Sequence, residues 1–315
     1  MSGGKKLHVA VLMGGSSSER EVSLSTGSMI LKALDASKYD AYAIDIIDLF
    51  ELSSRPDIVF IALHGKGGED GSVQGMLDLM QIPYTGSGVL ASALAMNKSK
   101  TKQLLRPMGV PFIPDISFSK SDINRCEECI LNTVSEELGF PVFVKPNSEG
   151  STFGCSLVEV ESDLIPAIRN ALEFDSEALV EAYIPGIEIT VGILGNSRSD
   201  LKVLSAIEIV PESKFYDYQS KYTEGGSRHI IPARISDKHL KRARQYAEAC
   251  HIELGCRGMS RTDMIVRGDD IFVLEINTIP GMTPTSLLPD AAAHDGIEFP
   301  ELLNMLINYA LTAEY

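Results

Sequence analysis

Glu275 and Asn277 stand two residues apart at the end of an apolar run, Ile271-Phe272-Val273-Leu274, and a Pro280-Gly281 turn follows them. The run reads as a buried strand. On a strand, residues i and i+2 share a face, so the Glu275 carboxylate and the Asn277 amide oxygen are expected side by side. Asp263 opens a second apolar run, Met264-Ile265-Val266. Two carboxylates and an amide oxygen are hard donors that suit Mg²⁺, which completes its shell with water and phosphate oxygens. The chemistry this implies is the handling of a metal-bound nucleoside triphosphate.

Other residues fit that chemistry with less specificity. Lys145 ends the apolar run Val142-Phe143-Val144 and is followed by Pro146 and a loop, Glu149-Gly150-Ser151-Thr152-Phe153-Gly154. A lysine in that position meets phosphate more readily than a lysine on a solvated surface, and backbone N–H groups of such a loop make an anion nest. The loop lacks the G-x-x-x-x-G-K-[ST] pattern, so it is not a Walker A loop. Lys98 opens a helix after Asn97. His64 closes a buried strand, at the sheet edge where ligands sit in open α/β folds. Alone it reads as a satisfied histidine; with Gly65, Gly67, Gly68 and Gly71 behind it, the backbone is expected to approach a ligand closely. Glu19 and Glu21 precede a helix, where acids are favoured in any case. Glu181 and Glu188 flank Pro185-Gly186 and read equally well as surface acids. Cys155 reads as a small buried strand residue.

The elements that must position these groups alternate. Strands are expected at 7–13 and 57–63, and helices at 25–34 and 73–80, which makes a parallel-sheet α/β unit to about residue 96. A helix from Asn97 stops at Gly109. Strands at 142–145, 155–160 and 179–184 and a helix at 162–173 follow. Strands near 187–194 and 202–209 lead to a long polar loop, 211–235, expected to act as a lid. The helix 236–254 carries one apolar face at Leu240, Ala243, Ala247, Cys250 and Leu254, which reads as core packing.

The 315 residues, 44% hydrophobic and 23% charged, are those of a globular chain of two or three domains. A net charge of −15 argues against nucleic acid or an anionic membrane as partner. No apolar run is long enough to span a bilayer. The five cysteines are an odd number in a large chain, which is no disulfide framework and points to the cytoplasm. Cys126-Glu127-Glu128-Cys129 has no second pair to complete a four-sulfur zinc site; it reads as part of a polar helix from Ser121 to Leu138.

Five blocks, in order, resemble the D-alanine–D-alanine ligases of the ATP-grasp superfamily: residues 14–23, 64–71, 145–151, 215–222 and 261–287. The resemblance spans nearly the whole chain. It implies an α/β, three-part ATP-grasp architecture with an N-terminal Rossmann-like parallel-sheet domain (1–96), a central subdomain (97–184) and a C-terminal subdomain carrying the lid and metal site (185–315). It implies ligation of two D-alanines to D-alanyl-D-alanine, for peptidoglycan precursors, with ATP and two Mg²⁺ or Mn²⁺ ions. By the same resemblance Glu19 binds the first D-alanine's ammonium and His64 orients the incoming amine. Ser151, Lys221 and Tyr222 close the lid. Arg261 and the N–H of Gly281 stabilise an oxyanion, and Ser286 and Leu287 receive the second carboxylate. Lys98, Lys145, Gly150 and Lys221 contact ATP phosphates, Glu181 the adenine and Glu188 the ribose; Asp263, Glu275 and Asn277 hold the metal ions. A homodimer is implied. A D-alanine–D-lactate or D-alanine–D-serine ligase is the alternative, and a non-catalytic ATP-binding regulator a more distant one. Ser260 and Ile279 depart mildly from the family pattern.

Overall fold

The computed structural model describes residues 5–51, 55–150, 152–211, 226–283 and 285–313. The first strand, β1 (Leu7–Met13), is buried from Val9 onward and ends at Gly14 and Gly15, with φ of 86° and 82°, where a side chain would be strained. Helix α1 (Arg20–Ala33) starts five residues before the expected Ser25. Its early serines and threonine are weak helix formers, which hid the start. Ser23 is retained by tertiary bonds: Gly14 N donates to Ser23 Oγ at 2.9 Å, and Ser23 Oγ donates to the Ala62 carbonyl at 2.8 Å. Strands β2 (Tyr39–Asp45) and β3 (Ile58–Ile61) flank β1 in parallel, in the order β2-β1-β3. Helices α2 (Ser72–Leu79) and α3 (Val89–Met96) complete this region.

Helix α4 (Lys98–Leu105) is capped by the Asn97 side chain, which accepts from Lys100 N, and the chain turns away at Gly109, φ 83°. After β4 (Asp115–Ser119), the single helix expected over 121–138 is two: α5 (Lys120–Arg125) and α6 (Glu127–Glu137). Ser119 and Asp122 form a capping box that starts the first. Cys126 is extended between them, its Sγ accepts from Cys129 N at 3.1 Å, and it is disulfide-bonded to Cys129. The reading of this pair as plain helix residues is therefore corrected, although the bridge is local and no framework. Strands β5 (Val142–Pro146) and β6 (Ser156–Val158), helix α7 (Leu164–Phe174) and β7 (Glu177–Ala182) follow, and the strands form an antiparallel sheet, β4-β7-β5-β6.

A third, antiparallel sheet contains β8 (Ile187–Leu194), β9 (Lys202–Val203), β10 (Ile207–Pro211) and β11 (Ser227–Ile230). After α8 (Asp237–Glu253) it is completed by β12 (Met259–Arg267) and β13 (Asp270–Asn277), in the order β11-β10-β8-β12-β13 with β9 on β8. The expected loop 211–235 thus contains a strand: β11 pairs with β10, and its polar sequence, Ser-Arg-His-Ile, gave no β signal. Helices α9 (Leu287–His294) and α10 (Phe299–Thr312) return to the parallel sheet. Leu302, Leu303, Leu306 and Ile307 share one core with Val9, Val11, Ile58 and Phe60. Separate cores lie under α8 and under α7.

Candidate functional site

Strands β12 and β13 place the acids. Asp263 pairs directly with Glu275, and Arg261 with Asn277. The register shifts between Asp263 and Met264, whose partner is Val273, so Leu274 is an extra residue. This bulge changes which face each side chain takes. Ile271 and Val273 belong to the core under α8, and so does Ile276, three residues on from Val273. A regular strand would carry Glu275 and Asn277 into that core with Val273. The bulge turns them to the opposite side, into the cleft, where both line a cavity.

The Asp263 carboxylate is held bidentately by Arg261, at 2.9 and 2.8 Å, and accepts from Thr190 Oγ1 at 2.6 Å. Glu275 Oε2 lies 3.4 Å from Lys98 Nζ. Asn277 Oδ1 accepts from Ile279 N at 2.9 Å. Among the described residues, no cluster of three or more His, Cys, Asp or Glu has the geometry of a metal site. Two carboxylates and one amide oxygen need form none, and hard oxygen donors on one face suit Mg²⁺ or Mn²⁺. Side-chain cations lie beside both carboxylates, Arg261 at Asp263 and Lys98 at Glu275.

Lys98 Nζ also donates to the Glu149 carbonyl at 2.7 Å, and Lys66 pairs with the Glu149 carboxylate. Lys145 Nζ lies 2.8 Å from Glu181 Oε2, while Lys102 Nζ reaches Glu181 Oε1 at 2.5 Å. Glu181 is only 3% exposed, which removes the surface-acid reading for it. Burial alone would raise its pKa; the charges of Lys145 and Lys102 outweigh burial and hold it at about 2. Burial pulls the Lys145 pKa down, but Glu181 and Glu275 prevail and it is raised.

These groups line two cavities. One contains Lys145, Glu181, Glu188, Asp263, Thr152 and Cys155, with apolar Ile113, Phe143 and Leu274. The other contains Glu19, His64, Glu69, Arg261, Asn277, Gly281, Ser286 and Leu287. Lys98, Glu149, Gly150 and Glu275 line both, so the two cavities meet at that wall.

In the second cavity the glycines have a specific use. A Cβ on Gly65 would lie 2.8 Å from Glu19 Oε2, and one on Gly150 would lie 3.0 Å from it. Two loops thus close against the carboxylate, and at Gly65 the φ of 71° would strain any side chain. His64 bonds Thr26 Oγ1 through Nε2 at 3.0 Å and Glu69 Oε1 through Nδ1 at 3.1 Å. Glu69 has its pKa raised: burial dominates, the bond to His64 opposes, and Glu19 adds repulsion. Ser286 Oγ accepts from Thr283 N at 2.9 Å and sits 2.8 Å from where a Gly281 Cβ would be. Leu287 is buried at the start of α9.

Of the residues singled out in the sequence, Glu19, His64, Arg261, Gly281, Ser286 and Leu287 come together in one cavity. Lys145, Glu181, Glu188 and Asp263 come together in the other, with Lys98, Gly150 and Glu275 between. Ser151, Lys221 and Tyr222 lie outside the described residues. Glu69, Lys102 and Thr190 were missed. Lys102 had a signal, four residues after Lys98 on one helical face; Thr190, inside an apolar strand, had only its face parity with Glu188. Ser260 bonds His251 Nδ1 at 2.7 Å in the interior, so that departure from the pattern is structural.

Two family profiles match the chain: the D-ala D-ala ligase N-terminus at residues 8–49 and 47–87, and the D-ala D-ala ligase C-terminus at residues 104–308. The D-alanine–D-alanine ligase of Syntrophobacter fumaroxidans is 48% identical, with 98% of each chain covered. The crystal structure of the Bacillus anthracis D-alanine–D-alanine ligase complexed with ATP is 35% identical, with a TM-score of 0.83 and 97% of each chain covered. The VanG D-Ala:D-Ser ligase of Enterococcus faecalis is 32% identical, with a TM-score of 0.84, covering 97% of this chain and all of that one. The α/β fold with its parallel first sheet is that of these ATP-grasp enzymes, and the chain belongs to the D-alanine–D-alanine ligase family.

Proposed function

We propose that the chain joins two D-alanines into D-alanyl-D-alanine, converting ATP to ADP and phosphate, as a step toward peptidoglycan precursors. It is an ADP-forming ligase of its family. The observation that carries the assignment of sites is the meeting of the two cavities at Lys98, Gly150 and Glu275. ATP occupies the cavity of Lys145 and Glu181, with its phosphates toward the wall. Glu181 faces the adenine, Glu188 the ribose, and Lys98 and Lys145 the phosphates. The amino acids occupy the cavity of Glu19 and His64.

A D-alanine held by its ammonium at Glu19 directs its carboxylate oxygen across the wall at the γ-phosphorus. ADP leaves and an acyl phosphate forms; positioning and charge neutralisation do most of this work. The amine of the second D-alanine, oriented from the His64 side and anchored through its carboxylate at Ser286 and Leu287, attacks the acyl carbon. The tetrahedral oxyanion is met by Arg261 and the Gly281 N–H. Collapse expels phosphate and leaves the peptide bond. Asp263, Glu275 and Asn277 are the residues that would hold two Mg²⁺ or Mn²⁺ ions. Such ions, when bound, neutralise charge on the transferring phosphoryl group. Ser151, Lys221 and Tyr222 carry the lid role by family resemblance, excluding water from the acyl phosphate.

The division at about residues 96 and 184, a Rossmann-like first unit, a homodimer and residence in the cytoplasm belong to the same proposal. Three separate sheets and the β2-β1-β3 parallel order support the division and the first unit; the homodimer rests on the resemblance, and the cytoplasm on the odd cysteine count. No described helix is long and apolar enough to cross a membrane.

The test is a product assay with ATP, Mg²⁺ and D-alanine, D-serine or D-lactate, read by mass. Equimolar ADP and D-alanyl-D-alanine are expected. A product dominated by D-alanyl-D-serine would favour the specificity named for the VanG relative, and a D-lactate product the depsipeptide reading. ADP release indifferent to D-alanine would leave an ATP-binding regulator.

A further inference from the structure

Lys102 has no part in the chemistry above, yet it is among the largest fully buried side chains, at 1% exposure. It follows Lys98 by four residues on α4, so both project from one helical face. Its Nζ reaches Glu181 Oε1 at 2.5 Å and Asp115 Oδ1 at 3.3 Å, and Asp115 is paired in turn with Arg106. Lys145 holds the other Glu181 oxygen. One buried carboxylate therefore has two ammonium partners, and they differ in access. Lys145 lines the nucleotide cavity; Lys102 lines neither cavity of the cleft.

The difference matters when phosphate arrives. If Lys145 were the only partner of Glu181, moving its ammonium toward a phosphate would strand a buried anion. Lys145 would then stay with the glutamate. A second cation, fixed from behind, removes that penalty. We propose that Lys102 is a positioning residue, the permanent counter-charge of Glu181 that releases Lys145 to the nucleotide phosphates. Burial draws the Lys102 pKa below the ordinary lysine range and Lys145 adds to that, while Glu181 and Asp115 oppose it. The proposal rests on the reading of this cavity as the ATP site.

The test is a double-mutant cycle of Lys102→Gln and Glu181→Gln, read by calorimetric binding of a non-hydrolysable ATP analogue. Glutamine removes the charge and retains an N–H donor on a side chain one bond shorter. In the parent background, Lys102→Gln is expected to raise the Kd of the analogue about tenfold, with the KM for D-alanine within about twofold of the parent. In the Glu181→Gln background, with no anion to hold, the same change is expected to alter Kd by less than about twofold. An unchanged Kd for Lys102→Gln alone, or an equal rise in both backgrounds, would overturn the proposal. Should Lys102→Gln alone not fold, the double variant lacks the stranded anion, and its Kd against that of Glu181→Gln decides: equality within about twofold upholds the proposal, and a larger rise overturns it. A parent that fails to bind the analogue rejects the ATP reading itself, a distinct result.

Discussion

Glu181 and Glu69 are the same residue type, both turned inward, and their carboxyls are driven in opposite directions. Glu181 lies between Lys102 and Lys145 and is held at about 2. Glu69 has one histidine as hydrogen-bond partner and Glu19 as a repelling neighbour, and its pKa is raised. Burial pushes both upward; the number and sign of nearby charges decide the result. At the Glu181 end of the cleft two ammonium groups hold one carboxyl far below its ordinary range. At the Glu19 end the Glu69 carboxyl, beside His64, has its pKa raised by burial.

The largest effect is expected at the wall between the two ends. Glu275→Gln should leave a folded chain whose kcat is lower by about 10²–10³, because one anionic donor becomes neutral beside Lys98. Turnover like the parent's at ordinary Mg²⁺ would remove Glu275 from the metal assignment. A smaller, selective effect is expected at the amino-acid end. Glu69→Gln should raise the KM for D-alanine about tenfold and leave that for ATP within about twofold, through the loss of a charge-assisted bond to His64. Equal changes in both constants would erase the distinction between the ends.

Stability against pH sharpens the contrast further. Glu181 has a folded pKa below its unfolded value, so its contribution is complete above about 4.5 and is lost as pH falls toward about 2. Glu69 has a folded pKa above its unfolded value, so its contribution is present below about 4.5 and is lost as pH rises through the folded value. Denaturant midpoints measured from pH 3 to 8 should therefore respond oppositely. Glu181→Gln should flatten the acid limb, and Glu69→Gln should flatten any decline above about pH 4.5. Parallel curves for the two variants would contradict the opposed shifts. The smallest effect is expected far from the cleft: Cys126→Ser with Cys129→Ser should leave turnover within about twofold, since the bridge only joins the start of α6 to itself.

Much of this site could be read from residue spacing. Glu275 and Asn277 sit two apart on a strand, and His64, Lys98 and Lys145 sit at element ends, where period and punctuation speak clearly. What escaped was relational. Parity along β13 is broken by an extra residue at Leu274, and alternation alone would have carried Glu275 into the core with Val273. The start of α1 depended on Ser23 bonding to Ala62 across the sheet, a contact between residues 39 apart. β11 is made by its partner β10 and not by its own composition. Lys102 offered only its spacing from Lys98, because the fold alone reveals that Glu181 and Asp115 converge on it.

In the proposed reaction a carboxylate in the Glu19 cavity attacks the γ-phosphorus across the Lys98 and Glu275 wall. Turnover of D-alanine carrying ¹⁸O in its carboxylate tests it directly, because the attacking oxygen must leave with the phosphate when the amine displaces it. Inorganic phosphate bearing one ¹⁸O for each dipeptide formed is the expected result. Dipeptide accompanied by unlabelled phosphate would contradict the acyl phosphate and, with it, the joining of the two cavities in one reaction.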